Sequence, residues 1–238
     1  YKALREKIRN AINDKYLDKE SGIYASGTQT EQSMALYWGI VPADVKEKAA
    51  RQLYKKGEAT GIHLDVGILG SKALLNALSE NGYADAAYNV ASQETYPSWG
   101  YWMVNGATTL YENWRIDVVI YASLNHIMLG EISAWFYKGL GGIFPDENQP
   151  GFKKVVLRPN FVEGLSNFEA RHKSPYGWIT STWTKENNKV VYKVEVPSNS
   201  PALLVPPATV TESDSIEIGP GVHTFEFTSV SVGRKVVK

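Results

Sequence analysis

The 238 residues are 43% hydrophobic and 21% charged, a soluble globular composition with room for one large or two modest domains. Twenty-five basic residues balance twenty-five acidic ones, so there is no electrostatic footprint for nucleic acid. Cysteine is absent, which excludes disulfides and thiolate metal sites, and no apolar run reaches the ~18 residues of a membrane span. The opening YKALREKIRN reads as an amphipathic helix and not as the apolar segment of a signal peptide. Either the mature chain starts here or an upstream region has been removed.

The first 140 positions read as paired helices. Leu4, Ile8 and Ile12 recur at helical spacing, and Glu31 to Trp38 form a short apolar-faced segment that ends at Gly39. Pro42 suits a first-turn position for the next helix, with Val45, Ala49 and Leu53 on one face and Gly57 closing it. Gly67 to Glu80 is apolar nearly all round, with Leu69, Leu74, Leu75 and Leu78, and stops at Asn81-Gly82, which predicts a buried helix. Further helices are expected over Ala84 to Ala91, around Gly106 to Trp114 and over Leu124 to Lys138, for about six or seven in all.

From Gly151 the period changes from helical to alternating. Lys153 to Leu157, Ser166 to His172, Gly177 to Thr184, Lys189 to Val196, Ala202 to Val205 and Val222 to Thr228 read as strands, separated by turns such as Asn187-Asn188. In Lys189 to Val196, Val190, Tyr192, Val194 and Val196 share one face, so that strand covers a core on one side. The expected second half is therefore an antiparallel β-sandwich. The Pro-rich stretch from Pro197 to Pro207 suits an edge or a connector.

After Ala84 to Ala91 comes YPSWGYWMVNGATTLYENW, Tyr96 to Trp114, with six aromatic residues, two glycines and one carboxylate, Glu112. Flat rings can cover the apolar face of a pyranose while a fixed carboxylate does proton or nucleophile work beside it. The same composition also describes a buried aromatic core carrying one satisfied glutamate. The wording of the segment closely resembles the bacterial α-L-rhamnosidases, glycoside hydrolase family 78. So do TQTEQSMALYWGIVP (Thr28 to Pro42), GIHLDVGILGSKALLNALSENGYADAAY (Gly61 to Tyr88) and SLNHIMLGEISAWFYKGLGGIFPDENQPGFKKVVLRP (Ser123 to Pro159), in the family's order and at roughly its spacing.

The resemblance implies a catalytic (α/α)6 barrel of twelve helices followed by a C-terminal β-sandwich, and inverting hydrolysis of terminal α-L-rhamnosyl groups without a cofactor. On that basis residues 1–148 correspond to the C-terminal half of the barrel and residues 149–238 to the sandwich. The chain is then a fragment of a longer, periplasmic or secreted enzyme. Its implied partners are a rhamnosyl glycoside and the N-terminal half of the barrel, and self-association is expected if the helices leave apolar surface uncovered.

By residue-for-residue match, Glu112 takes the place of the family's general base. Inversion needs a second carboxyl about 6.5–9.5 Å away to serve as acid. The family's acid stands in a segment resembling DCPxRxERxGWxGD, which does not occur here. Glu31, Asp65, Glu94 and Glu131 are the carboxylates near the matched helices, none in a comparable context, so the isolated chain is expected to be inactive. His126 matches a histidine that contacts the sugar, although a lone histidine on an apolar helix is commonly a satisfied core residue. The linker WRIDVVIYASLNH is shorter than in many relatives, and Arg115 stands where an aspartate is common, which bears on the pocket rim.

Trp99, Tyr101 and Trp102 are candidates for a stacking platform, with Tyr96 and Trp114 behind them. If the run is extended, alternate rings point to opposite sides and at least one belongs to the core. His63 and Asp65 could contact hydroxyls from a loop, and Asp65 could equally cap a helix starting near Val66. No third or fourth ligand accompanies them, so no metal site is expected. Gly61, Gly67 and Gly70 lack the ending of a phosphate loop. Two other functions fit the same features, a different (α/α)6 glycosidase specificity and a non-catalytic carbohydrate-binding or scaffold domain.

Overall fold

A computed structural model describes residues 1–117, 122–207 and 215–228. The chain divides into two compact units, Tyr1–Ala134 and Trp135–Lys238. The first is helical. α1 (Lys2–Tyr16) leads into a two-residue hairpin, β1 (Leu17–Asp18) and β2 (Ile23–Tyr24), followed by α2 (Gln29–Tyr37), α3 (Lys46–Ala59), α4 (Ile68–Ser79), α5 (Ala84–Ala91) and the short α6 (Trp99–Val104). A 3-10 turn at Leu129–Glu131, α7 (Ile132–Trp135) and a π-helical turn at Phe136–Leu140 carry the chain into the second unit. No helix among the described residues is long and apolar enough to cross a membrane.

α4 is the centre of this unit, as its all-round apolarity predicts: Ala73, Leu74, Leu75, Ala77 and Leu78 are buried. α2 and α4 approach so closely that a Cβ on Gly70 would lie 2.6 Å from the Thr30 hydroxyl and 2.7 Å from the Val66 side chain. α2 is held by its sequence TQTE as a capping box. The Thr28 side chain accepts from Glu31 N–H at 3.2 Å, and the Glu31 carboxylate accepts from Thr28 N–H at 3.0 Å. It also accepts from the Ser26 hydroxyl at 2.9 Å, and these bonds lower the Glu31 pKa, that from the Thr28 backbone most.

Two buried glutamines on α2 fix the surrounding loops. Gln29 accepts from Asp65 N–H at 2.7 Å and donates to the His63 carbonyl at 3.0 Å. Gln32 accepts from Tyr24 N–H at 2.6 Å and donates to the carbonyls of Gly22 and Ala49. α1 is tied down in the same way. Asn13, its one buried residue, donates to the Ile40 carbonyl at 2.9 Å and accepts from the Tyr24 hydroxyl at 2.6 Å, and burial pushes that phenol up to about 12. Leu4 and Ile8, whose spacing announced the helix, are more than half exposed.

Helix ends differ from expectation where glycine was misread. Gly57 lies inside α3, and Gly61, at φ +67°, closes it: Ile62 N–H bonds the Gly57 carbonyl and Gly61 N–H the Glu58 carbonyl. Pro42 precedes α3 in a turn and does not start it. Gly106, read as the start of a helix to Trp114, instead ends α6. Ala107 N–H bonds the Trp102 carbonyl at 2.9 Å and Gly106 N–H the Met103 carbonyl at 3.0 Å, after which the chain is irregular to Trp114. The helix expected from Leu124 begins only at the 3-10 turn.

Among the described residues the second unit holds two four-stranded sheets. One runs in the order β10-β7-β6-β5, from Gly221–Thr228, Lys189–Val196, Gly177–Glu186 and Asn167–Ser174, and is antiparallel throughout. The other is β3-β4-β8-β9, from Ile143–Pro145, Val155–Leu157, Ala202–Leu204 and Ile216–Ile218. β4 and β8 are parallel, a departure from a wholly antiparallel sandwich, because the proline-rich connector after β7 lays β8 beside β4 in the same direction. Ile179, Trp183, Tyr192 and Val194 from the first sheet and Val155, Leu157, Ala202 and Leu204 from the second are fully buried. The Ser181 hydroxyl donates to the Gly141 carbonyl at 2.6 Å and lies 3.2 Å from the Tyr192 hydroxyl, whose pKa burial raises.

Two outcomes are expected. Thr28→Ala should cost about 1 kcal/mol in denaturant unfolding. Because the folded pKa of Glu31 is lowered, its contribution is present above the ordinary carboxylate range and lost as pH falls through the lowered value. Glu31→Gln should therefore be less stable than the parent at pH 7, with the gap closing in acid. Separately, the helical unit exposes Leu4, Ile8, Leu69, Met103 and Ile127, and the isolated chain should sediment as a dimer or larger species. A strictly monomeric chain that binds no hydrophobic dye would contradict this.

Candidate active site

At the N-terminal ends of α2 and α4 lies a cavity of about 700 Å3. Thr30, Gly67, Ile68, Leu69 and Gly70 form one side, and Glu112, Asn113, Trp114, Ala122 and Leu129 complete the wall. Glu112 is its only carboxylate among the described residues. The carboxylate is held from behind: Ser123 N–H donates to Oε2 at 2.8 Å, while Glu112 N–H donates to the Ser123 carbonyl at 2.9 Å. Among the described residues Oε1 accepts no hydrogen bond. A carboxylate fixed through one oxygen with the other free can accept a proton in a defined direction.

The backbone around Glu112 is set by the facing segment. His126 N–H bonds the Leu110 carbonyl at 2.8 Å, and the Thr109 hydroxyl bonds the Leu124 carbonyl. Residues 109–112 and 123–126 therefore run against each other, which is why neither stretch becomes the helix its apolar spacing suggests. His126 is half-buried and outside the cavity wall. Its Nδ1 accepts from Met128 N–H at 3.3 Å, which in the neutral ring places the proton on Nε2.

The aromatic run is helical, which overturns the alternation expected of an extended one. Trp99 and Trp102, three residues apart on α6, share its inner face and are 3% and 1% exposed. Both are core and neither is free to stack on a ligand. The Trp99 indole N–H bonds the Leu129 carbonyl at 2.9 Å, and that of Trp102 bonds the Trp114 carbonyl at 3.0 Å. Trp114 stacks on Trp102 at 4.8 Å, meets Trp99 edge-on at 5.0 Å, and donates its own N–H to the Val66 carbonyl at 2.6 Å. Tyr101 points elsewhere, half-buried and edge-on to Tyr96 at 5.5 Å.

His63 and Asp65 sit on the loop leading to Gly67 but not on the cavity wall. The His63 ring is spent on local bonds, from Nδ1 to the Gly61 carbonyl at 3.0 Å and from Nε2 to the Thr95 hydroxyl at 2.7 Å. Asp65 is exposed and caps nothing: the residue before α4 is Gly67, with no side-chain cap. Arg115 forms a two-point ion pair with Asp117, at 3.0 and 2.7 Å, which lowers the Asp117 pKa. The next four residues of the short linker, 118–121, lie outside the described residues. Glu31, one of the other carboxylates, is consumed by the capping box, and Glu131 faces Lys72 at 3.7 Å. Thr30, Asn113 and Leu129 were not singled out from sequence. Only the adjacency of Asn113 to Glu112 could have pointed to one of them.

A layer of paired helices with a carboxylate at one end, followed by a two-sheet unit, is the plan of a six-hairpin glycosidase with a C-terminal β domain. Residues 1–140 match the family model of the bacterial alpha-L-rhamnosidase 6 hairpin glycosidase domain, and residues 142–218 that of the bacterial alpha-L-rhamnosidase C-terminal domain. The chain belongs to the bacterial α-L-rhamnosidase family. It is 33% identical over 216 residues to an α-L-rhamnosidase of Alteromonas sp. (strain LOR), covering 87% of this chain and 23% of that protein. Its fold superposes on the Streptomyces avermitilis α-L-rhamnosidase complexed with L-rhamnose, with TM-score 0.83, 29% identity, and coverage of 95% of this chain and 24% of the other. The α-L-rhamnosidase from Dictyoglumus thermophilum gives 0.83 and 30%, over 96% and 28%. The chain thus spans about a quarter of the length of the relatives it matches.

Trp114→Phe keeps a ring in the stack but removes the donor to Val66. It should lower unfolding stability by about 1–3 kcal/mol, because a buried carbonyl loses its partner.

Proposed function

We propose that Glu112 is the general base of an inverting hydrolysis of terminal α-L-rhamnosides, taking a proton from the water that attacks the anomeric carbon. The observation that carries this is the carboxylate on the cavity wall, anchored through Oε2 by Ser123 N–H, with Oε1 accepting no bond among the described residues. The α-L-rhamnosidase relatives supply the substrate class. His126, whose Nε2 carries the proton in the neutral ring, is a second polar group and donates to a ring hydroxyl. Trp99 and Trp102 support the site from the core, Tyr101 and Asp65 are left as contacts to the parts of the glycoside beyond the cavity, and His63, with both ring nitrogens engaged, holds its loop in place.

An inverting mechanism also needs a general acid on the opposite face of the sugar. No second carboxylate lines the cavity among the described residues. On this reading the acid comes from the N-terminal half of the barrel, in a longer, periplasmic or secreted polypeptide. The helical unit, Tyr1–Ala134, serves as the remainder of the catalytic barrel and the two-sheet unit, Trp135–Lys238, as the β-sandwich.

The test compares two proteins. The isolated chain should not hydrolyse an aryl α-L-rhamnoside above the buffer rate. In the polypeptide extended by its upstream coding sequence, Glu112→Gln should lower kcat by about 10²–10⁴-fold with little change in KM, and His126→Ala should raise KM as well. Near-normal kcat in Glu112→Gln at unchanged stability would place the base elsewhere.

A further inference from the structure

The outward face of the β10-β7-β6-β5 sheet carries one large aromatic. In β6 the side chains of Trp178, Thr180, Thr182 and Thr184 point away from the core, while Ile179, Ser181 and Trp183 point into it. An outward row of threonines is ordinary for a solvated sheet face. Trp178 breaks that pattern: it is 45% exposed, next to the hairpin that carries Tyr176, itself exposed.

Two cations attend the ring. Arg171 and Lys173 lie outward on the neighbouring edge strand β5, with Lys173 directly opposite Trp178 in the register and Arg171 opposite Thr180. The Arg171 guanidinium is 5.0 Å and the Lys173 ammonium 6.0 Å from the ring centroid. Neither has a carboxylate partner among the described residues. At the other end of the same face, by contrast, Lys189 pairs with Glu226 at 2.9 Å. The sheet therefore pairs a cation at one end and leaves two without an ion-pair partner among the described residues beside an exposed indole at the other, with the nearest carboxylates, Glu195 and Glu169, bonded to the Thr180 and Thr182 hydroxyls.

We propose that Trp178, Arg171 and Lys173 form a binding site for an acidic oligosaccharide, a chain containing uronic-acid residues. The indole offers a flat apolar surface to the axial C–H face of a pyranose, and Arg171 can grip the C5 carboxylate through two N–H donors, with Lys173 adding a point charge. A protein partner fits poorly, because the aromatic is surrounded by threonines and charges where an interface centre needs contiguous buried apolar side chains. Nucleic acid fits poorly as well, since two cations do not make the basic stripe that follows a phosphate backbone. The site lies in the second unit, shares no residue with the Glu112 cavity, and does not depend on the assignment of the base.

Native electrophoresis of the whole chain through gels containing polygalacturonate, with a neutral glucan at equal mass as control, tests it. Polygalacturonate should retard the chain and the neutral glucan should not. Trp178→Ala and the double variant Arg171→Gln/Lys173→Gln should each weaken the retardation by about tenfold or more, as expected when stacking or charge-assisted hydrogen bonds are lost. Thermal unfolding run in parallel shows whether each variant is folded. If Trp178→Ala is not, the double variant decides, because its two positions are exposed and outward. No retardation of the parent, equal retardation by the neutral glucan, or a folded Trp178→Ala or double variant that binds like the parent would each overturn the proposal.

Discussion

The helical unit depends on one side chain, Trp114. Its indole N–H reaches the Val66 carbonyl at the entrance to α4, and its own carbonyl receives the Trp102 N–H from α6. Its ring lies against Trp102 and across the edge of Trp99, whose N–H in turn holds Leu129. Three tryptophans thus bring four separate stretches of chain to one place, each spending its single donor on a backbone carbonyl that regular structure leaves free. Burying that much aromatic area is favourable only if the indole donors are satisfied. Glu112 is two residues from Trp114, so the position of the carboxylate follows from the node.

A second constraint acts from the other side of the cavity. α2 and α4 can meet only because residue 70 has no side chain, and the loops above them are held by the amides of Gln29 and Gln32. An amide offers both donors and an acceptor, so one glutamine can bond a carbonyl on one segment and an N–H on another. Buried amides of this kind are costly when half-satisfied and specify one arrangement when complete. Gln29 holds the loop from Thr60 to Gly67 in place, which carries His63 and Asp65 and then becomes the cavity wall, while Gln32 holds the β1–β2 hairpin against α3.

Periodicity revealed the existence of most elements and little about where the irregular chain goes. α4, α5, β7 and β10 follow directly from apolar spacing, because their burial depends on neighbours that repeat along the element. The helix expected at Gly106 to Trp114 fails for a definite reason: the glycine's left-handed conformation closes α6, and the following donors and acceptors are taken by residues 123–126. Such long-range backbone pairing leaves no local signature. β3 and β9, three residues each, are too short for alternation to register, and the parallel pairing of β8 with β4 is decided by a connector, not by either strand. Glu112 and His126 were legible only through the wording of their segments, since a single carboxylate or imidazole has no period.

The aromatic cluster also shows why composition pointed to sugar stacking while geometry assigns the rings another task. Six aromatic residues within nineteen positions would suit a binding platform, yet on α6 the i, i+3 spacing of Trp99 and Trp102 puts both on the same inward face. A helix cannot present both its inner and outer faces to a ligand. The tryptophans therefore contribute rigidity, and the cavity's chemistry falls to the irregular segment they hold. A carboxylate on such a segment can be aimed by one backbone bond, as Glu112 is by Ser123, whereas on a regular helix its direction would be set by the rotamer alone. On the reading proposed for Glu112, this matters because a base must meet the attacking water along one line, and fixing one oxygen leaves the other little freedom to wander from it.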